Sequence, residues 1–243
     1  MAEVATVAAP RGPVYRVGRA PRPLAPPSWA YAEADGTFGN RFDDPSARRG
    51  ATPDERFRML YFATTSAGAF GETIARRRPN LESLTRAGVT AVPRPVVSAS
   101  WRQVRRLGVT VLMTPLPFVD IAAAATLTAL RPALAPVALV ALELGLSDVD
   151  LSAVTGPGRL LTQEAARYIY EQRDIAGAPR YAGVRYLSRL NPDWECWAVF
   201  VARLRHRVVR SGTEIRADDP GLYEASALLA LGVEDDHGRR HYP

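Results

Sequence analysis

Three stretches of this chain place a polar side chain where it can meet a ligand. Arg41 follows Gly39-Asn40 and precedes Phe42. Glu72 follows Gly71, downstream of the run Leu60-Tyr61-Phe62-Ala63. Ser188 closes the run Gly183-Val184-Arg185-Tyr186-Leu187. An arginine just past a tight turn can project its planar fork into a cleft, which suits a phosphate or pyrophosphate. Equally, it can pair at the surface with Asp43 or Asp44. The Tyr61 ring can stack on a flat heterocycle, or sit in the core with its hydroxyl bonded. Glu72 precedes Arg76 by four residues, the favourable order for a helical ion pair. As a fixed carboxylate it would instead stabilise the positive charge that develops on a sugar when an N-glycosidic bond breaks. Ser188, at a strand end, can bond a ligand or its own backbone. No histidine is suggestively placed near it and no Gly-x-Ser-x-Gly elbow exists, so a serine-hydrolase triad is not supported.

The elements that must carry these residues follow from pattern. Strands are expected at Val14–Val17, Met59–Ala63, Val109–Met113, Gly183–Ser188 and Glu195–Ala202. In the fourth of these, alternation sets Val184, Tyr186 and Ser188 on one face and Arg185 and Leu187 on the other. Thr64, Thr65 or Ser66 can cap a helix that buries Phe70 and Ile74 and stops before Pro79, with Arg76–Arg78 at its C-terminal end. Residues 120–146 read as helix broken by Pro132 and Pro136. Thr162 is expected to cap a helix running to about Gln172, and Pro220–Leu231 reads as the last helix. Residues 43–56 read as a solvent loop. Arg203, Arg205 and Arg207 alternate with Leu204, His206 and Val208, as on one solvated strand face.

Composition bounds the rest. The 243 residues fit one large domain or two small ones. We expect a flexible N-terminal arm over 1–13, a single domain over 14–232 and a polar tail over 233–243. All 31 basic residues are arginine, and the net charge of +6 permits anionic partners. The basic runs Arg76–Arg78 and Arg203–Arg210 have few aromatics between them, so direct nucleic-acid binding is disfavoured. The lone Cys196 sits in an apolar run, as a buried inert thiol would. His206, His237 and His241 have no zinc-site spacing with it, and no metal is expected. Ile121–Leu142 is interrupted by Arg131, Pro132 and Pro136, which argues against a membrane span. Nothing in residues 1–10 reads as a secretory signal, and a cytoplasmic location is the default expectation. No dinucleotide-binding glycine fingerprint and no Walker loop occur.

Taken together, the blocks resemble the RES family, named for an arginine, a glutamate and a serine. Val14-Tyr15-Arg16-Val17 is similar to the family's opening strand, and Gly39-Asn40-Arg41-Phe42 to its Gly-Gly-Arg-Trp element. Leu60–Ala63 with Ala69 and Gly71-Glu72 is similar to its tyrosine strand and glutamate helix. Gly183–Ser188 resembles its Gly-Ile-Arg-Tyr-Pro-Ser element, and Cys196–Phe200 the strand after it. This resemblance covers roughly 14–202. It implies an α+β fold: an ADP-ribosyltransferase-like split mixed β core with surrounding helices, here with a helical insertion around 120–150. The implied activity is NAD degradation, with ADP-ribose passing to inorganic phosphate as co-substrate or to a protein. The implied partner is a helix-turn-helix antitoxin protein, and a homo-oligomer is allowed beside it. Carried over by position, Arg16 and Arg41 hold phosphates, Tyr61 packs on nicotinamide, Glu72 orients and stabilises the ribose, and Ser188 binds ligand or acceptor. The chain departs from the family in Asn40, in Phe42 and in a long polar loop before Tyr61. Two alternatives stand beside this reading: a non-catalytic basic nucleic-acid module, and a degenerate RES scaffold that only binds a partner.

Overall fold

The structure is a computed structural model, and it describes residues 3–89, 91, 94–141, 148–156 and 158–243. Its strands are β1 (Thr6–Val7), β2 (Val14–Arg19), β3 (Met59–Ala63), β4 (Val96–Val97), β5 (Arg105–Leu112), β6 (Phe118–Asp120), β7 (Gly183–Leu187), β8 (Glu195–Phe200), β9 (His206–Glu214), β10 (Gly232–Glu234) and β11 (Arg240–His241). Its helices are α1 (Ser66–Ile74), α2 (Leu81–Arg86), α3 (Ala99–Gln103), α4 (Ala124–Ala141), α5 (Leu151–Thr155), α6 (Leu160–Glu171) and α7 (Pro220–Leu228). Mixed strands with helices outside them make this an α+β fold. The chain divides into two compact units.

The first unit comprises residues up to 11, 26–62 and 112–207. Its strands run in the order β1-β6-β7-β8-β3. β6 and β7 are parallel, whereas β1 pairs antiparallel with β6 and β8 antiparallel with β7, so the sheet is mixed. Cys196 through Phe200 in β8 are all buried, as a central strand requires. The β7–β8 pair closes tightly because Gly183 has no side chain: a Cβ there would lie 2.0 Å from the Ala198 carbonyl oxygen. Aromatic rings fill the core, with Phe57, Tyr170 and Phe200 in mutual contact and Phe118 edge-on to Trp197 at 4.9 Å.

Three expectations for this unit need correcting. The helix over 124–141 runs through Pro132 and Pro136 instead of breaking at them. Each proline removes one i→i−4 bond, but Leu130 and Leu134 are fully buried and α4 packs on α6, so tertiary packing holds the helix. Thr162 lies inside α6, where its hydroxyl donates to the Arg159 carbonyl, and does not cap it. The strand expected to reach Ala202 stops at Phe200 and turns into a short 3-10 helix, Val201–Arg203. Arg203 is therefore no part of a solvated face. It is buried, donates to the carbonyls of Tyr181 and Tyr170, and stacks over the Tyr170 ring. Burial lowers its pKa to about 10, so it stays charged at neutral pH.

Residues 12–25, 63–111 and 208–243 form the second unit. β2 and β5 are antiparallel from Val14↔Thr110 to Arg19↔Arg105, and β9 is the next strand beyond β5. Ala63 at the end of β3 pairs with Tyr15. A small second sheet holds β10 between β11, antiparallel, and β4, parallel. Thr65 caps α1 by accepting the Gly68 N–H, and Phe70 and Ile74 bury its apolar face. This helix packs on β2 and on α7. It tightens after Ile74 into a 3-10 turn over Ala75–Arg77.

Candidate active site

In the first unit Arg41, Tyr61 and Ser188 are carried by segments that meet around Phe42. Gly39 has φ +65° and admits the turn before Arg41; a Cβ there would also press to 2.3 Å from Glu33 Oε1. The turn brings the Phe42 N–H within 3.1 Å of the Tyr61 hydroxyl, on β3. Phe42 itself is fully buried, with its ring 5.1 Å from that of Tyr186, on β7 two residues before Ser188. Phe42 is thus the hinge between the arginine, tyrosine and serine blocks.

The organiser of this corner is a residue the sequence pattern assigned to solvent. Asp43 is only 4 % exposed. Its Oδ1 accepts from the Tyr61 hydroxyl at 3.0 Å and from Asn40 Nδ2 at 3.3 Å. Its Oδ2 accepts the N–H groups of Asn40 at 2.7 Å and of Phe38 at 2.9 Å. Burial pushes the carboxyl above its ordinary value even against these four bonds. Asp44, also buried, accepts from the amides of Ser46 and Phe57. The segment 43–56 is therefore not a free solvent loop. Arg48 and Arg49 tie it to Gln163 and Glu164 of α6, and Arg56 donates to the Gly36 carbonyl over the Trp29 ring. The available signal was an Asp three residues after Asn40 in a glycine turn, a spacing that lets a carboxylate cap nearby amides.

Tyr61 uses its hydroxyl in both directions, donating to Asp43 and accepting from Phe42. Any part it plays toward a heterocycle falls to its ring. Arg41 reaches across to backbone carbonyls far along the chain. Its Nη1 donates to the carbonyls of Val154 and Gly156 at 2.8 and 2.9 Å, and its Nη2 to Thr155 at 3.3 Å. These are the carbonyls at the C-terminal end of α5, where a guanidinium also complements the helix dipole. Ser188 is buried; its Oγ accepts the Leu190 N–H at 3.1 Å and its own N–H donates to Trp194. The face alternation expected in β7 holds: Val184, Tyr186 and Ser188 are buried and Leu187 is exposed.

Arg16 and Glu72 belong to the second unit. Arg16 lies in β2 opposite Gly108, and its Nε donates to the Pro23 carbonyl at 2.9 Å. Glu72 lies half-buried in α1, the helix that packs on β2. The two elements that carry these residues are thus in contact.

Over residues 13–218 the chain matches the family model of the RES domain. The chain belongs to the RES domain family. RES domains have an ADP-ribosyltransferase-like core and are associated with NAD use, which makes an NAD-utilising enzyme the coarse functional class. No curated protein and no solved structure matches the chain. Among the described residues, no helix is long and apolar enough to cross a membrane, and no cluster of His, Cys, Asp or Glu could hold a metal ion.

Proposed function

We propose that this RES protein cleaves the bond between nicotinamide and ribose in NAD and transfers ADP-ribose to inorganic phosphate or to a protein. The C1′–N bond breaks with its electron pair leaving on nicotinamide, which discharges the pyridinium. A C1′–O bond to the acceptor replaces it. Glu72 is the carboxylate that stabilises the cationic ribose, the largest electrostatic demand of such a step. Arg16 and Arg41 hold the pyrophosphate, Tyr61 offers its ring to nicotinamide, and Ser188 bonds the ligand or the acceptor. A helix-turn-helix antitoxin protein and self-association belong to the same reading.

What carries it is the family match together with the corner where the arginine, tyrosine and serine blocks meet around Phe42. The test is purified protein with NAD, with and without phosphate, followed by nicotinamide release. Release that needs phosphate identifies a phosphorylase; no release in either condition refutes transfer to phosphate, and no release when a cell lysate is added as protein acceptor refutes the proposal. A second reading, a scaffold that binds NAD without turning it over, is favoured by one observation. Three backbone carbonyls accept from Arg41, and a pyrophosphate would have to compete with them. NAD binding measured by calorimetry without nicotinamide release would select that reading.

A further inference from the structure

We propose that a cavity beside the C-terminal end of α6, in the first unit, binds a small one-ring carboxylate, with Arg180 and the Tyr181 hydroxyl donating to its oxygens. The cavity measures about 330 Å³, the small end of the range for ligand sites. Val4, Ala129 and Ile169 supply apolar wall, and Tyr168 and Tyr181 supply flat rings. Arg180 reaches the cavity because the chain turns back after α6. Asp174 accepts the N–H groups of Ala176 and Ala178, and the Arg180 N–H then donates to the Gln172 carbonyl at 3.2 Å. Tyr181 is pinned through its backbone: its carbonyl accepts from Arg203 at 2.6 Å, and the next N–H, of Ala182, donates to Pro117 at 2.8 Å. The length of β7, roughly 17 Å, separates the backbone of Tyr181 from that of Ser188.

Tyr181 is 5 % exposed, and among the described residues its hydroxyl has no hydrogen-bond partner. A buried donor left without an acceptor is unfavourable, and a ligand oxygen in the cavity relieves it. Burial raises the phenol's pKa above its usual 10, so it stays a donor at neutral pH. Arg180, Glu3 and Tyr168 all act on it electrostatically, which gathers these groups at one place. Arg180 supplies the cation, with its guanidinium carbon 5.3 Å from the Tyr181 ring centroid. A carboxylate already sits on that cation: Glu3, at 3.1 Å. Glu3 is mostly exposed, so the pair contributes little and an incoming carboxylate can take its place. The Ala5 N–H donates to Thr126 Oγ1 and the Ala5 carbonyl accepts the Asp120 N–H, so displacing Glu3 leaves β1 in place. A polyanion fits less well, because Arg180 is the one cation among the described residues that line the cavity. The site uses none of the residues assigned to NAD, so it stands or falls apart from that chemistry.

The experiment is a ligand-observed NMR titration of the full chain with benzoate, and with acetate as the probe that lacks a ring. The wild type is expected to saturate with a Kd below about 10 mM, the weakest affinity expected of a ligand this small. Acetate should bind at least about tenfold more weakly. Arg180→Gln should weaken benzoate about tenfold or more, because a charge-assisted bond is lost. Tyr181→Phe keeps the ring and should weaken benzoate about two- to tenfold at unchanged Tm. Glu3→Gln should tighten it by up to about fivefold, because the competing carboxylate is gone. NAD turnover should be unchanged in all three variants. The proposal is overturned by a wild type that does not saturate below about 10 mM, by acetate binding as tightly as benzoate, or by an affinity that Arg180→Gln and Tyr181→Phe both leave intact. Weaker benzoate binding in Glu3→Gln also overturns it, because Glu3 would then support the ligand and not compete with it.

Discussion

Replacing Asp43 by alanine removes the acceptor on which four donors converge. The Asn40 amide, the Phe38 amide and the Tyr61 hydroxyl, at 2.7, 2.9 and 3.0 Å, are the well-placed ones. Hydrogen bonds to a charged group contribute about 1.5–3 kcal/mol each. Two effects pull the sum down. Burial already works against the carboxylate, as its raised pKa records, and the half-buried amides of Phe38 and Asn40 can regain water. A net loss of about 3–5 kcal/mol follows. For a chain of this size each kcal/mol moves Tm by about 2–4 °C, so Asp43→Ala should melt roughly 6–20 °C below wild type. Asp43→Asn, which keeps one oxygen, should lose about half as much. Circular dichroism gives the melt. Because the same carboxylate fixes the turn before Arg41, NAD turnover at a permissive temperature should fall as well. An alanine variant that melts within about 2 °C of wild type and turns NAD over normally would show that Asp43 does not organise this corner.

Tyr61→Phe should keep most NAD turnover and lose about 1–2 kcal/mol of stability, because the Phe42 amide loses its acceptor while the ring stays; a collapse of turnover comparable to that of Tyr61→Ala would give the hydroxyl a chemical part. Glu72→Gln should cut turnover by at least about a hundredfold at unchanged Tm, and normal turnover would remove Glu72 from the mechanism. Arg41→Met should free the 154–156 carbonyls and raise the hydrogen-exchange rate of α5, whereas an unchanged rate would deny the clasp. For Glu164, burial pushes the pKa up, but Arg49 and Arg167 outweigh it and hold the carboxyl below its usual 4.5. Its stabilising contribution is present above pH 4.5 and is lost as pH falls through the depressed folded value. Glu164→Gln should therefore flatten the acid limb of a stability–pH curve. Asp43 has the opposite sign: its folded pKa is raised, so stability held below its usual 3.8 is lost as pH rises through the folded value.

Much of the scaffold was legible because it rests on local pattern. The apolar run Cys196–Phe200 is a central strand, and Thr65 caps the glutamate helix. The α+β class follows from the interleaving of such runs. What escaped was set by partners distant in sequence. Asp43 and Asp44 look like solvent residues until Tyr61 and Phe57, from beyond a long loop, present their donors. Arg203 reads as part of an alternating face until the backbone turns at Val201 and buries it. Arg41 looks like a surface cation until the end of a helix more than a hundred residues away supplies its acceptors. Prolines in α4 broke the pattern on paper but not in the fold, because Leu130 and Leu134 anchor both sides of Pro132. The RES motifs were readable in order, which is why the family was legible while the hydrogen bonding around its arginine was not.

Cys196 lies at the middle of the β6-β7-β8-β3 stack, 1 % exposed, and it is the chain's single thiol. A disulfide reagent can reach it only when β8 parts from its neighbours, so the labelling rate in native buffer counts those openings directly. The molecule therefore carries its own breathing gauge at the centre of its first unit, read without adding a probe or altering a residue.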